Sequence, residues 1–263
     1  MNSLLKPIKL PLALAVACTS MLASQTSILA DPTTTRQPSN TASLDTTIHF
    51  NPPQPPPEPP PGGRVLGGAK RGTCPQFKPQ LTALVPFTQK SPTDVDVWGL
   101  TTAAHPTFWF YIPLPKNATY PAEFVLQDEA SNPIYQTAIA LPDQPGVMGI
   151  SLPKTVAPMV LNKRYRWFFS IYCDQEKQWP PVYVEGVIQR VNLSQAIAQQ
   201  LETAKPQQQS AIYAQNGIWY ETLTTLAKLR LKNPNDSKLQ AEWRNLITSI
   251  GLSDVATQPI VSQ

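Results

Sequence analysis

The clearest alternation of side chains in the chain runs over residues 165–173. In an extended strand Trp167, Phe169, Ile171 and Cys173 share one face, and Phe168, Ser170 and Tyr172 the other. A strand apolar on both faces, rich in aromatic rings and free of Pro and Gly, predicts a place in the middle of a sheet. Shorter runs of the same kind surround it, over 81–86, 95–100, 107–112, 134–141, 147–152 and 182–191. One more is marked by Ala122, Phe124 and Leu126 alternating with Glu123 and Gln127, ahead of a turn-forming stretch at 128–133. About eight short strands parted by Pro- and Asn-bearing turns predict a sandwich or barrel, not βαβ units.

The period changes after Asn192. Leu193, Ile197, Leu201 and Ala204 recur at helical spacing, with Asn192 or Ser194 as cap and Pro206 as stop. A second helical stripe carries Trp219, Leu223, Leu226 and Ala227, with Gly217 as a break. The third is the cleanest: Leu239, Trp243, Leu246, Ile247 and Ile250 line one face, Asp236 or Ser237 caps it and Gly251 stops it. This helical part faintly resembles one tetratricopeptide unit, but a single unit cannot bury its own face, so it is expected to pack on the β-domain. The fold class is therefore mainly β: an immunoglobulin-like β-sandwich of about eight strands with a C-terminal helical segment packed on it. Tyr165, after the turn at Asn162, suits a tyrosine that bonds back across a sandwich corner.

What precedes the strands reads differently. Lys6 and Lys9, an apolar run over 10–22 and small Ala30 before Asp31 have the form of a secretory signal peptide over 1–30. A competing cut before Cys18 would leave a lipid anchor there. Residues 31–72 are expected to be a disordered Pro/Gly-rich spacer, because 51–61 holds eight prolines in eleven residues and favours polyproline II. The β-sandwich domain then spans 73–191 and the helical segment 192–263. Removal of 1–30 leaves two cysteines, Cys74 and Cys173, the pattern of a disulfide in an exported chain; two separate buried thiols are the alternative. The formal net charge is +4, and +2 without Lys6 and Lys9, which argues against nucleic acid as an obligatory partner.

Candidate chemistry is sparse. The sequence holds two histidines, and only His105 falls in the β-domain. It could serve a hydrolase as general base with Asp128, Glu129 or Asp174. No nucleophile elbow, phosphate-cradling Gly loop or metal-spaced His/Cys cluster accompanies it, so no cofactor or metal is expected. Aromatic residues are more abundant than one small sandwich needs. Trp98, Trp109, Tyr111 and Trp179 are the binding candidates, as a platform for sugar rings or an extended peptide if the Trp109–Tyr111 face is solvated. The alternative is that the C-terminal helices cover that face. The leading expectation is a non-catalytic envelope module binding a protein or wall polysaccharide, located in the periplasm or outside the cell; an envelope hydrolase and an assembly scaffold are the others.

Several segments in order also match a known set of sequences: Arg71-Gly-Thr-Cys74, Leu81-Thr-Ala-Leu-Val-Pro86, His105-Pro-Thr-Phe-Trp-Phe-Tyr111, Glu123-Phe-Val-Leu-Gln-Asp-Glu129, Ser170-Ile-Tyr-Cys-Asp174, Gln189-Arg-Val191 and Asn216-Gly-Ile-Trp-Tyr220. Together they resemble domain-of-unknown-function family nine-two-eight, a family of exported cyanobacterial proteins. The resemblance runs from about Gly62 to Leu252 and implies a cyanobacterial envelope protein. The family has no established activity, cofactor or catalytic residue, so it implies no site residue.

Overall fold

The computed structural model describes residues 48–54, 62–67, 74–91, 94–115 and 120–261. The leader expected over 1–30, its Cys18 alternative and much of the spacer lie outside the described residues.

The strand at the centre of the sequence is also central in space. β8 (Arg164–Ile171) lies between β5 (Ala122–Gln127) and β9 (Val182–Arg190). Beyond β5 comes β6 (Pro133–Ile139), and beyond β9 come β3 (Asp94–Thr101) and β2 (Phe87–Ser91). Neighbours in this six-stranded sheet are antiparallel except β3 and β9, which are parallel. The facing sheet has β4 (Thr107–Ile112) between β1 (Thr82–Ala83) and β7 (Gly146–Ser151). The core is aromatic: Phe108 packs 4.8 Å from Phe124, and Phe110 lies 5.6 Å from Trp167 and stacks on Phe169 at 4.8 Å. The mainly-β sandwich expected from the pattern is thus present among the described residues, with nine strands. The added one is β2, which is mostly exposed and carries no alternation to betray it. The corner tyrosine is present too, with the Tyr165 hydroxyl accepting from the Val160 N–H at 2.9 Å.

Two pieces of the supposed spacer are ordered parts of the body, which corrects the expectation that all of 31–72 is unfolded. Ile48 and Phe50 are buried, and Phe50 meets Trp219 edge-on at 4.8 Å. Asn51 is held through its amide N–H on the Ala214 carbonyl and its Nδ2 on that of Gln215. Further on, Arg64 exchanges both backbone bonds with Glu185 of β9, while Val65 and Gly67 bond Ala83 and Leu81 beside β1. Residues 62–67 thereby join one sheet to the other, and Val65 is buried in the seam. Proline denies backbone donors to its own residue only, so a few apolar residues on either side of the run suffice to dock.

The helical part follows the sequence reading with one change. Ser194 caps α1 (Gln195–Thr203) and Asp236 caps α4 (Ser237–Ser249). Pro206 both ends α1 and opens α2 (Pro206–Gln215), where its missing N–H costs nothing. Gly217, at φ +72°, makes the turn into α3 (Trp219–Lys232), a conformation open to glycine at little cost. The first turn of α3 grips the sandwich with three consecutive side chains. Trp219 Nε1 donates to the Leu84 carbonyl at 2.8 Å. Tyr220 accepts from Trp167 Nε1 at 3.0 Å. Glu221 accepts from Thr101 Oγ1, Thr102 N and Ala103 N.

Burial pushes the Glu221 carboxyl above its ordinary value near 4.5, against the pull of those hydrogen bonds. A carboxyl raised in the folded chain stabilises the fold fully below its unfolded pKa and loses that contribution as pH rises through the folded one. Glu221→Gln should therefore flatten the decline in stability on the alkaline side of 4.5, read from denaturant midpoints across a pH series. An unchanged slope would place the titration elsewhere.

Candidate binding cleft

Four of the expected site residues separate into different environments. Trp109 and Tyr111 are buried, 6% and 4% exposed, so the solvated aromatic platform on β4 is not there. At Trp109 the physical reason is α3: Trp109 Nε1 donates to Thr224 Oγ1 at 3.0 Å. The indole also lies over Gly149 of β7, where a Cβ would come within 3.0 Å of the ring. Burial raises the Tyr111 phenol above its usual pKa. Trp179, by contrast, is 52% exposed in the β8–β9 loop, whose turn Asp174 fixes by accepting from Gln178 N and Trp179 N. Trp98 is half-buried and lines a groove of about 560 Å³ with Phe87, Pro52, Pro53 and Ile250, beside the Lys90–Asp96 ion pair.

Among the described residues His105 has no carboxylate partner. Its Nε2 is 2.9 Å from the Val156 carbonyl. Asp128 is spent on Ala130 N and Asn132, Glu129 on Lys163 and Arg164, and Asp174 on its own loop. Among the described residues no group of three or more His, Cys, Asp or Glu side chains is placed to hold a metal.

A cleft of about 760 Å³ lies at one mouth of the sandwich. Both sheets contribute their ends there. Ile171 closes β8, Val182 opens β9, Leu81 precedes β1, and Pro113 and Leu114 follow β4. One wall is the loop 75–80, which is held from behind by the disulfide between Cys74 and Cys173, with Cα atoms 5.1 Å apart. Asp254, in the short 3-10 turn Ser253–Val255 after α4, reaches the rim. The lining combines the apolar Phe77, Leu114 and Ile171 with the amides Gln76 and Gln80 and the charges Lys78 and Asp254. It offers contact surface and hydrogen bonds, with no nucleophile–base pair for covalent chemistry. Sequence reasoning located the cysteines and missed Phe77, Gln80 and Leu114. A usable signal was present: the Pro- and Gln-bearing stretch directly after a disulfide cysteine is a loop fixed in place, and fixed loops carry sites.

A family model described as Domain of Unknown Function (DUF928) matches residues 66–260. The chain belongs to the DUF928 family. The match takes in the nine strands and four α-helices found among the described residues of this DUF928 protein, and every residue named in the cleft. The docked segment 48–54 lies outside it. No curated protein and no solved structure matches the DUF928 chain. Among the described residues no helix is long and apolar enough to cross a membrane.

Proposed function

We propose that this DUF928 protein is a non-catalytic module of the cell envelope that holds an extended polymer, a wall polysaccharide or a segment of another envelope protein, in the cleft beside the disulfide. The observation that carries the reading is the cleft itself: a preformed mouth of about 760 Å³ lined by apolar side chains together with amides. Sugar rings present a C–H face and a hydroxyl edge, which Phe77 with Leu114 and Gln76 with Gln80 match in kind. Export to the periplasm or beyond, with removal of 1–30, is supported by the disulfide, since such bonds persist in oxidising compartments. A cyanobacterial source is part of the same proposal, as the family resemblance implies.

The hydrolase alternative loses its support with His105 tied to a backbone carbonyl and its three candidate acids engaged elsewhere. The test is a glycan array paired with affinity purification from envelope fractions, run with the unaltered chain and with Phe77→Ala and Gln80→Ala. Capture of one polymer class, reduced about fivefold or more by either substitution, is expected, since each removes about 1–3 kcal/mol of contact. Capture untouched by both substitutions would move the site away from the cleft.

A further inference from the structure

Residues 48–54 meet the body as a bound peptide does. Ile48 and Phe50 are buried, while His49, Asn51, Pro52 and Gln54 stay exposed. Among the described residues the segment joins no strand ladder. A ring, an amide and a proline are each received at the turn from α2 into α3. The Phe50 ring stands edge-on to Trp219 at 4.8 Å. Asn51 donates its amide N–H to the Ala214 carbonyl at 3.0 Å and its Nδ2 to that of Gln215 at 3.1 Å, the last two carbonyls of α2. Pro53 lies against Gly217, where a Cβ would come within 3.1 Å of the proline ring.

The turn suits such a guest. A helix end leaves carbonyls without an intrahelical donor, and the Asn51 side chain supplies one to Gln215. Gly217 has no side chain to keep an extended segment off. Trp219 is fixed from behind by its bond to the Leu84 carbonyl, so the wall for the Phe50 ring belongs to the body. The receiving residues lie within the family match over 66–260, and the segment lies before it. A groove of about 560 Å³ adjoins the segment, lined by Phe50 and Pro53 together with Phe87, Trp98 and Ile250. None of the residues lining the cleft beside the disulfide lines this groove.

We propose that the α2–α3 turn with Trp219 is a recognition site for an extended Phe-Asn-Pro segment, filled here by the chain's own residues 50–53 and entered by a partner protein that carries such a segment. A tethered ligand acts at an effective concentration of roughly millimolar order. A second copy of the chain offers the same contacts at a far lower concentration, so it does not displace them. A partner that also fills the adjoining groove gains apolar contact with Phe87, Trp98 and Ile250 that the chain's own segment leaves unused. Lys90 and Asp96 at the groove are paired with one another, so the site suits apolar and amide groups and not a charged segment. This inference is independent of the cleft and of what fills it.

The test is fluorescence anisotropy with a labelled peptide of residues 48–54 against the full chain and its Phe50→Ala, Asn51→Ala double variant. The vacated variant should bind the peptide at least about tenfold more tightly than the unaltered chain, whose site is free only while its own segment is released. The same peptide carrying Phe50→Ala should not bind. Melting curves show whether the variant is folded; Asn51→Ala alone, at an exposed side chain, is the milder companion and should shift binding the same way. Amide hydrogen exchange on the unaltered chain needs no variant. The Asn51 N–H should exchange at least about tenfold faster than that of Leu84, which bonds to Trp109 in the core, and an excess of peptide should speed it further. Equal binding to both chains, no binding to a folded variant, or an Asn51 amide that opens only with Leu84 and ignores the peptide would overturn the inference.

Discussion

Opening the Cys74–Cys173 bond should cost the fold more than any single surface change, about 4–5 kcal/mol in the chain-entropy account for a loop of this size. The bridge spans a sequence separation of 99 residues, so the unfolded chain gains a large freedom when it is lost. In a domain of this length that corresponds to a fall in melting temperature of about 10–15 °C. The comparison is between the oxidised protein and a Cys74→Ser, Cys173→Ser double variant, which avoids a stray thiol. Cys74 precedes the loop that walls the cleft, and Cys173 follows the end of β8. The double variant should therefore bind less of any cleft ligand even at temperatures where it remains folded. Equal melting curves for the two proteins would show that the loop is held by packing alone.

The second large effect is expected at Trp219. This side chain is fully buried, stands against Phe50, backs onto Gly99 and donates to the Leu84 carbonyl. Trp219→Ala should destabilise by about 3–5 kcal/mol, the range for emptying an aromatic site in a core. Trp219→Phe keeps most of the volume and leaves the Leu84 carbonyl without its indole donor, at a cost of about 1–3 kcal/mol. Urea denaturation of the three proteins separates the packing part from the hydrogen bond. A helical segment that merely rests on the sandwich would show both variants near the unaltered chain, and a second, independent transition for the helices.

The two substitutions act on features of unequal legibility. β8 could be read directly, because Tyr165, Trp167, Phe169 and Ile171 all point into one core and the burial alternates as the letters do. Each cap was legible to within two candidates, Asn192 or Ser194 and Asp236 or Ser237, because a short polar side chain before a helical stripe has a local role; the structure has Ser194 and Asp236. Trp109 was ambiguous for a physical reason. Phe108, Trp109, Phe110 and Tyr111 place rings on both faces of β4, and only the path of a helix more than a hundred residues later decides which face meets water. Ile48, Phe50 and Val65 were hidden by their neighbours: Pro and Gly dominate the composition around them, yet three apolar side chains are enough to anchor the chain. The cleft had no local signature, because its lining comes from the loop after Cys74, the ends of β8 and β9, the exit of β4 and the turn at Asp254.

These pieces fit one physical account. The aromatic core and the grip of α3 make the body, the seam at 62–67 joins its sheets, and the disulfide holds the loop that shapes the mouth. The proposed export would place the last of these in an oxidising compartment, where such bonds persist. The most direct measurement is non-reducing peptide mapping by mass spectrometry on the protein recovered from cell-envelope and cytosolic fractions of its own host. The account predicts chains in the envelope fraction that begin after Ala30, with the peptide holding Cys74 joined to the one holding Cys173. Chains confined to the cytosol with both thiols free to alkylate would contradict it.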